Sequence, residues 1–227
     1  YKKFKKKYPN IKKLSEANSE VLLKDWEGLG YYARAKNLHS TAKFIQNELS
    51  GIFPNSQKEL IKLKGVGRYS SSAIASICFN EKTPAIDGNV YRVLSRIFGI
   101  KLNISLNSTY SCFYKKSMTL IKEFKSAGDY NQSLMDFGSI QCLPKKPLCS
   151  NCNQNKICYA FAHKKQDELP VKKRSIMIIK RYFNYYVFSY KDKFLVKKRD
   201  YSDIWGGFYE FYIEEKKKLI KTPNQIS

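Results

Sequence analysis

No run of apolar residues in this chain is long enough to span a bilayer. No signal-peptide pattern opens it, which weighs against a secreted, disulfide-framed domain. Histidine is nearly absent. His39 and His163 are the 2 in the sequence; neither sits in a ligand pattern, and each reads as an ordinary surface or helix-packing residue. No internal repeat is visible. Acidic residues are few, 19 Asp and Glu against 42 Lys and Arg, leaving a formal charge of +23 on 227 residues. Such an imbalance points to a polyanionic partner, nucleic acid or an anionic membrane face. The excess is mostly Lys amid many Asn, Ile and Tyr, a mixture that a biased codon pool also yields, so charge supports nucleic acid only moderately. The length suits one large domain or two smaller ones with real cores.

What is present is more specific. Cys142, Cys149, Cys152 and Cys158 are separated by six, two and five residues. Pro144, Pro147 and several Asn and Lys fill the gaps and form no packed element, so four thiolates converging on one centre would hold the loop. Four-cysteine zinc sites usually come as two close pairs, whereas here one close pair has a single outlier on each side. Iron–sulfur clusters use runs of that asymmetric kind. The spacing favours a cluster over zinc and over no metal, and the two rivals stay open. Cys78 and Cys112 lie outside the run and are expected to be ordinary buried thiols.

From residue 11 to about 165 the pattern is mainly helical, with amphipathic segments near 19–26, 33–49, 56–63, 69–79, 89–98, 108–125 and 130–141. Breaks are expected at Gly28/Gly30, Gly51/Pro54, Gly65/Gly67, Pro84 and Gly128. The Lys2–Lys7 run reads as a solvated helix face. After a charged linker the texture changes to Ile, Tyr, Phe and Val in 177–190, 193–199 and 207–213, a small sheet-containing region with a tight turn at Lys191-Asp192-Lys193. Residue 1 is Tyr, and nothing after Leu219, Ile220 and Pro223 reads as a finishing element, so the chain is expected to be cut at both ends.

Three segments carry chemistry. In Leu63-Lys64-Gly65-Val66-Gly67-Arg68-Tyr69 both glycines fall where the chain turns between two helical stretches. A tight turn there points backbone N–H groups outward at the positive end of the next helix, a nest for phosphate of any base sequence. A plain helix–helix corner explains the glycines as well; Lys62, Lys64 and Arg68 tip the reading toward a hairpin that grips a nucleic-acid backbone. In Pro84-Ala85-Ile86-Asp87-Gly88-Asn89-Val90 an Asp stands between an apolar approach and a helix start. A lone Asp there is most often an N-cap. The sharper reading is a carboxylate held against a sugar whose glycosidic bond is breaking. In Gly28-Leu29-Gly30-Tyr31-Tyr32-Ala33-Arg34, paired aromatics beside two glycines, with Arg34 and Lys36 behind, suit a base-stacking wedge with phosphate anchors. A buried aromatic pair at a helix start is the equal alternative.

These residues resemble the MutY family of adenine DNA glycosylases, within the helix-hairpin-helix glycosylase superfamily. The likeness runs from residue 1 to about 215 through GLGYYARAKNLH (28–39), LKGVGRYSSSAI (63–74), PAIDGNVYRVLSR (84–96), NQSLMDFGSIQC (131–142) and the cysteine run, all in the family's order. The resemblance implies a mainly α glycosylase fold with an iron–sulfur loop and a partial α+β nucleotide-hydrolase-like C-terminal domain. Its parts would be a six-helix barrel with the hairpin at 1–81, a cluster domain at 82–165, a linker at 166–176 and a cut 8-oxoguanine-recognition domain at 177–227. It implies a 4Fe–4S cluster on Cys142, Cys149, Cys152 and Cys158 that organises a DNA-facing loop, with Lys145 and Lys146 presenting its charge. Asp87 would meet the oxocarbenium-like sugar, with a transient covalent bond. Tyr69 and Asn89 would border the extruded adenine, Leu29 and Tyr31 would wedge beside the opposing 8-oxoguanine, and Arg34, Gly65, Gly67 and Arg68 would hold the backbone. The implied protein is a monomeric enzyme of the bacterial cytoplasm, bound to duplex DNA holding adenine opposite 8-oxoguanine or guanine.

Endonuclease III shares the hairpin, the Asp and the cysteine spacing, but it carries a strand-cutting Lys where this chain has Tyr69, and Thr-His where this chain has Gly88-Asn89. Both differences favour an adenine glycosylase lacking strand cleavage. The family's general-acid Glu would lie on the order of fifteen residues before Tyr1. Glu16 and Glu20 do not match its motif, so the chain as written is expected to bind DNA and excise slowly or not at all. Residues 182–213, with Asp203-Ile204-Trp205-Gly206-Gly207-Phe208, match only the first strands of the C-terminal domain, and no acidic signature for cleaving free nucleotides is present. The alternative from another class is a non-catalytic DNA-binding remnant; a zinc-bound basic module is the third.

Overall fold

The computed structural model describes residues 1–173 and 179–216. The chain divides into two compact units, Tyr1–Arg174 and Ser175–Ser227. The ends of the strand-like segments expected at 177–190 and of the linker, and Leu219, Ile220 and Pro223, lie outside the described residues.

The first unit is helical. Its helices are α1 (Lys2–Lys7), α2 (Ile11–Ser15), α3 (Ser19–Asp25), α4 (Tyr32–Glu48), α5 (Gln57–Leu60), α6 (Arg68–Phe79), α7 (Gly88–Phe98), α8 (Tyr110–Ile121), α9 (Ala127–Ile140) and α10 (Tyr159–Ala162). One core joins Ile45 of α4, Leu60 of α5, Leu63 of the corner that follows and Ala75 of α6, so the corner between α5 and α6 is anchored from beneath by its own leucines. A second core joins Ile86, Val90 and Leu94 to Phe113 of α8, with Met135 of α9 packed against it. This core pins the start of α7. Burying such side chains is the main stabilisation available to a unit of this kind, roughly 1.5–3 kcal/mol for each large one.

The extended approach to α7 is fixed by one polar residue. Asn131 of α9 is buried and donates to Ser76 Oγ at 2.8 Å and to the Thr83 carbonyl at 3.0 Å, while accepting from the Ala85 amide at 2.9 Å. Losing this amide side chain would leave the Thr83 carbonyl and the Ala85 amide unpaired, while Ser76 Oγ would keep its bond to the Ala73 carbonyl.

Several elements depart from the sequence reading. Gly128 does not break the chain. It lies in the first turn of α9, which Ser126 caps through the Asp129 amide, and a Cβ there would stand 3.0 Å from the Ile77 Cα. The glycine serves close packing of α9 on α6. The segment expected at 56–63 is helical only over Gln57–Leu60, because the chain must turn at once into the hairpin. Cys78 and Cys112 are exposed, not buried. Helix α8 buries Phe113, Ser117 and Ile121, and at 3.6 residues per turn Cys112 falls off that face; Cys78 lies in the last turn of α6, where residues 77–79 are all exposed.

The second unit holds three antiparallel two-stranded ladders among the described residues: β1 (Tyr182–Tyr186) with β6 (Tyr212–Lys216), β2 (Ser189–Tyr190) with β3 (Lys193–Phe194), and β4 (Lys197–Lys198) with β5 (Tyr209–Glu210). Tyr190 pairs with Lys193, so the expected turn is Lys191-Asp192 alone, with Lys191 at φ 51°. Arg199 is buried in ion pairs with Asp203 and Glu210, and Arg181 bridges Asp203 and Glu215.

Candidate active site and nucleic-acid interface

Asp87 is the N-cap of α7, as the commoner reading of the sequence had it, and the cap leaves half the carboxylate for other work. Oδ1 accepts from the Val90 amide at 2.8 Å. Oδ2 accepts from Asn89 Nδ2 at 3.0 Å. The carboxylate is half-buried with both oxygens oriented, at the positive end of an 11-residue helix. Tyr69, in the first turn of α6, faces it. Burial pushes the Tyr69 phenol up, and the charge of Asp87 adds to that shift. The phenol donates to Met135 Sδ at 3.2 Å.

Behind Asn89 stands Arg92, which the sequence reading passed over. Its Nη2 donates to Asn89 Oδ1 at 2.8 Å and to the Gly138 carbonyl at 2.6 Å, and its Nε donates to the Cys142 carbonyl at 2.7 Å. One turn on, Arg96 donates to the carbonyls of Leu143 at 2.6 Å and Pro144 at 3.1 Å and reaches Cys142 Sγ at 3.4 Å. Helix α7 therefore carries the carboxylate at its start and the anchors of the cysteine loop along one flank. Gly138 completes the arrangement: a Cβ there would stand 2.6 Å from Asn89 Cβ.

The hairpin has the geometry its sequence implied. Gly65 has φ +79°, Gly67 caps α6 in an extended conformation, and Thr41 of α4 donates to the Lys64 carbonyl at 2.9 Å. The first amides of α6 have no intrahelical acceptor, as at any helix start, and Lys62, Lys64 and Arg68 are exposed around them. Arg68 also lies over the Tyr110 ring at 5.0 Å, a partner that no local pattern marks. In the glycine turn before α4, Leu29 and Tyr31 are 56% and 81% exposed. The exposure of Tyr31 removes the buried-pair alternative. Arg34 is exposed on the same helix start. Lys145 and Lys146 are exposed at the tip of the loop that Arg96 holds from below.

Cys142, Cys149, Cys152 and Cys158 all line one small cavity with Arg96 and Gln166. None is disulfide-bonded. Burial pushes the Cys149 thiol up, the Gln166 bond lowers it, and the three neighbouring thiols raise it again. Among the described residues, no three His, Cys, Asp or Glu stand in metal-holding geometry. The donor set itself, four free thiols on one small cavity with a guanidinium alongside, fits an iron–sulfur cluster, whose four thiolate ligands leave it with net negative charge.

Residues 1–122 match the family model described as HhH-GPD superfamily base excision DNA repair protein. The chain belongs to that superfamily. Among curated proteins it is similar to the adenine DNA glycosylases of Buchnera aphidicola subsp. Baizongia pistaciae, at 35% identity over 212 residues, 93% of this chain and 60% of that protein, and of Arabidopsis thaliana, at 39% over 181 residues, 71% of this chain and 28% of that protein. It thus spans about 60% of the length of the Buchnera relative. Among solved structures it is similar to a thermostable thymine-DNA glycosylase, with a TM-score of 0.65 at 30% identity, covering 72% of this chain and 75% of that one. A non-covalent endonuclease III–DNA complex shares the fold, with a TM-score of 0.60 at 23% identity over 73% of this chain and 75% of that one. No helix among the described residues is long and apolar enough to cross a membrane.

Proposed function

We propose that the protein removes adenine mispaired with 8-oxoguanine or guanine from duplex DNA by hydrolysing its N-glycosidic bond. The observation that carries this reading is Asp87, oriented through both oxygens beside Tyr69, the residue that follows the glycine hairpin and Arg68. An oriented carboxylate stabilises the positive charge that grows on the sugar as the bond breaks. The target base must leave the stack to reach it, which costs least at a mismatch. The adenine glycosylases among its relatives support the choice of base. Tyr69 in place of an amine supports hydrolysis without strand cleavage.

In this reading residues 1–81 supply the hairpin and the Leu29–Tyr31 wedge, 82–165 the carboxylate and the cysteine loop, and 177–227 the start of a lesion-reading domain, joined by 166–176. Cys142, Cys149, Cys152 and Cys158 hold a 4Fe–4S cluster, which organises the loop bearing Lys145 and Lys146 toward phosphate. The enzyme works as a monomer on DNA in a bacterial cytoplasm.

The test is a single-turnover assay of the full-length protein on duplexes with adenine opposite 8-oxoguanine, beside Asp87→Asn. Adenine release by the parent and its loss in the variant support the assignment; equal release removes Asp87 from it. Broad visible absorption that disappears in Cys152→Ala supports the cluster, and a colourless zinc protein replaces it with the rival metal.

A further inference from the structure

The turn that carries Leu29 and Tyr31 is conformationally costly. Gly28, Gly30 and Tyr31 have φ of 82°, 64° and 46°, and a non-glycine residue in the left-handed region needs its surroundings to hold it there. What holds this turn is Trp26. Its indole Nε1 donates to the Gly30 carbonyl at 2.9 Å, and its own carbonyl accepts from the Leu29 amide at 3.2 Å. The indole is itself fixed edge-on against Phe4 of α1, with ring centroids 5.5 Å apart. Next to it Asp25 accepts from the Tyr8 phenol at 2.7 Å and pairs with Lys7 at 2.6 Å, which ties the far end of α1 to the same corner. Two exposed apolar side chains, Leu29 and the left-handed Tyr31, are thus tied through the backbone of Leu29 and Gly30 to a half-buried Trp26.

We propose that Trp26 is a positioning residue for the wedge: by holding the Gly30 carbonyl, its indole N–H sets Leu29 and Tyr31 in the conformation in which they enter the duplex beside the base opposite the target. This rests on the reading that Leu29 and Tyr31 face DNA. It places the specificity of that contact one layer inward, in a hydrogen bond that never meets the substrate. Without the bond the turn relaxes toward negative φ at Tyr31, and both side chains swing from the step they should open. Binding that depends on phosphate alone is unaffected, because the hairpin is built on α5 and α6.

The test uses the full-length protein on two duplexes, one with 8-oxoguanine opposite an abasic analogue and one undamaged, with 2-aminopurine beside the 8-oxoguanine to report unstacking. Trp26→Phe keeps the ring against Phe4 and lacks the donor; a benzothienylalanine at position 26 keeps the indole shape and replaces the N–H by sulfur. The expected result is a loss of preference for the damaged duplex of roughly five- to ten-fold, the scale of one hydrogen bond, with the 2-aminopurine brightening lost and undamaged-duplex affinity retained. Leu29→Ala, changed in the wedge itself, gives the same loss of preference and of brightening. Should Trp26→Phe fail to fold, the benzothienyl protein decides alone. Unchanged preference and brightening in a folded donor-less variant overturn the proposal. If the parent shows neither preference nor brightening, it is the wedge assignment that fails, and the role of Trp26 falls with it.

Discussion

Asn89 donates to the outer oxygen of Asp87 at 3.0 Å, and its own carbonyl oxygen is held by Arg92 at 2.8 Å. The amide cannot flip without losing both bonds, so Arg92 decides which way Asn89 points and hence how the carboxylate sits. Arg92→Met removes three donors and leaves the carbonyls of Gly138 and Cys142 without them. The expected cost is on the order of 3 kcal/mol, read as a lower melting temperature, with adenine release slowed further than the lost stability explains. Arg92→Lys, which keeps charge and one donor direction, recovers part of the melting temperature and little of the rate.

Gly138→Ala is a quieter version of the same lesion. The added methyl meets Asn89 Cβ at 2.6 Å, and the side chain must move. We expect the single-turnover rate to fall at least about ten-fold, since roughly 1 Å of misplacement costs on that scale or more, while affinity for an undamaged duplex stays within about two-fold. Rate and binding measured on one preparation separate the two.

The hairpin should act without regard to sequence. Gly65→Ala forces a β-carbon into a φ of +79° and within 2.6 Å of Asn37, and we expect it to weaken binding to matched and mismatched duplexes alike. Lys64→Gln leaves the turn intact and lowers the slope of log affinity against log salt by about 1. A titration series in salt distinguishes the pair: the glycine variant shifts the line, the lysine variant tilts it.

His39 on α4 sets an acid limit to stability. It is buried, Nδ1 lies 3.3 Å from Ser19 Oγ, and Nε2 has no hydrogen-bond partner. Burial, then the nearby Lys43, hold its pKa below the usual histidine value. The unfolded chain therefore binds the proton first as pH falls. Stability from the neutral imidazole is complete above about 6.5 and is lost as the pH drops toward the lower folded value. Denaturant melts between pH 7 and pH 5 should show this slope, and His39→Leu should flatten it.

Much of this site was legible because its chemistry is local. Asp87, the hairpin glycines, the glycine turn before α4 and the four cysteines each announce themselves within a few residues, and strong periodicity marked α7. What was not legible depends on single contacts between distant segments. Asn131 reaches Ser76 across 55 residues and Arg92 reaches Gly138 across 46; no local pattern distinguishes either from a neighbouring polar side chain. Gly128 read as a break for the same reason, since its purpose is the backbone of Ile77 on another helix. Cys78 and Cys112 were misplaced because thiols are commonly buried, whereas the register of α8 turns Cys112 outward and Cys78 stands in the exposed last turn of α6.

That outward turn has a practical consequence. Two accessible sulfhydryls on different helices invite cross-linking between copies of the chain during aerobic concentration, whatever the DNA chemistry does. Serine at both positions leaves a protein with four of its 6 cysteines, all lining one cavity. A colorimetric thiol count on the native and the denatured material then reads out directly how many of the four are engaged.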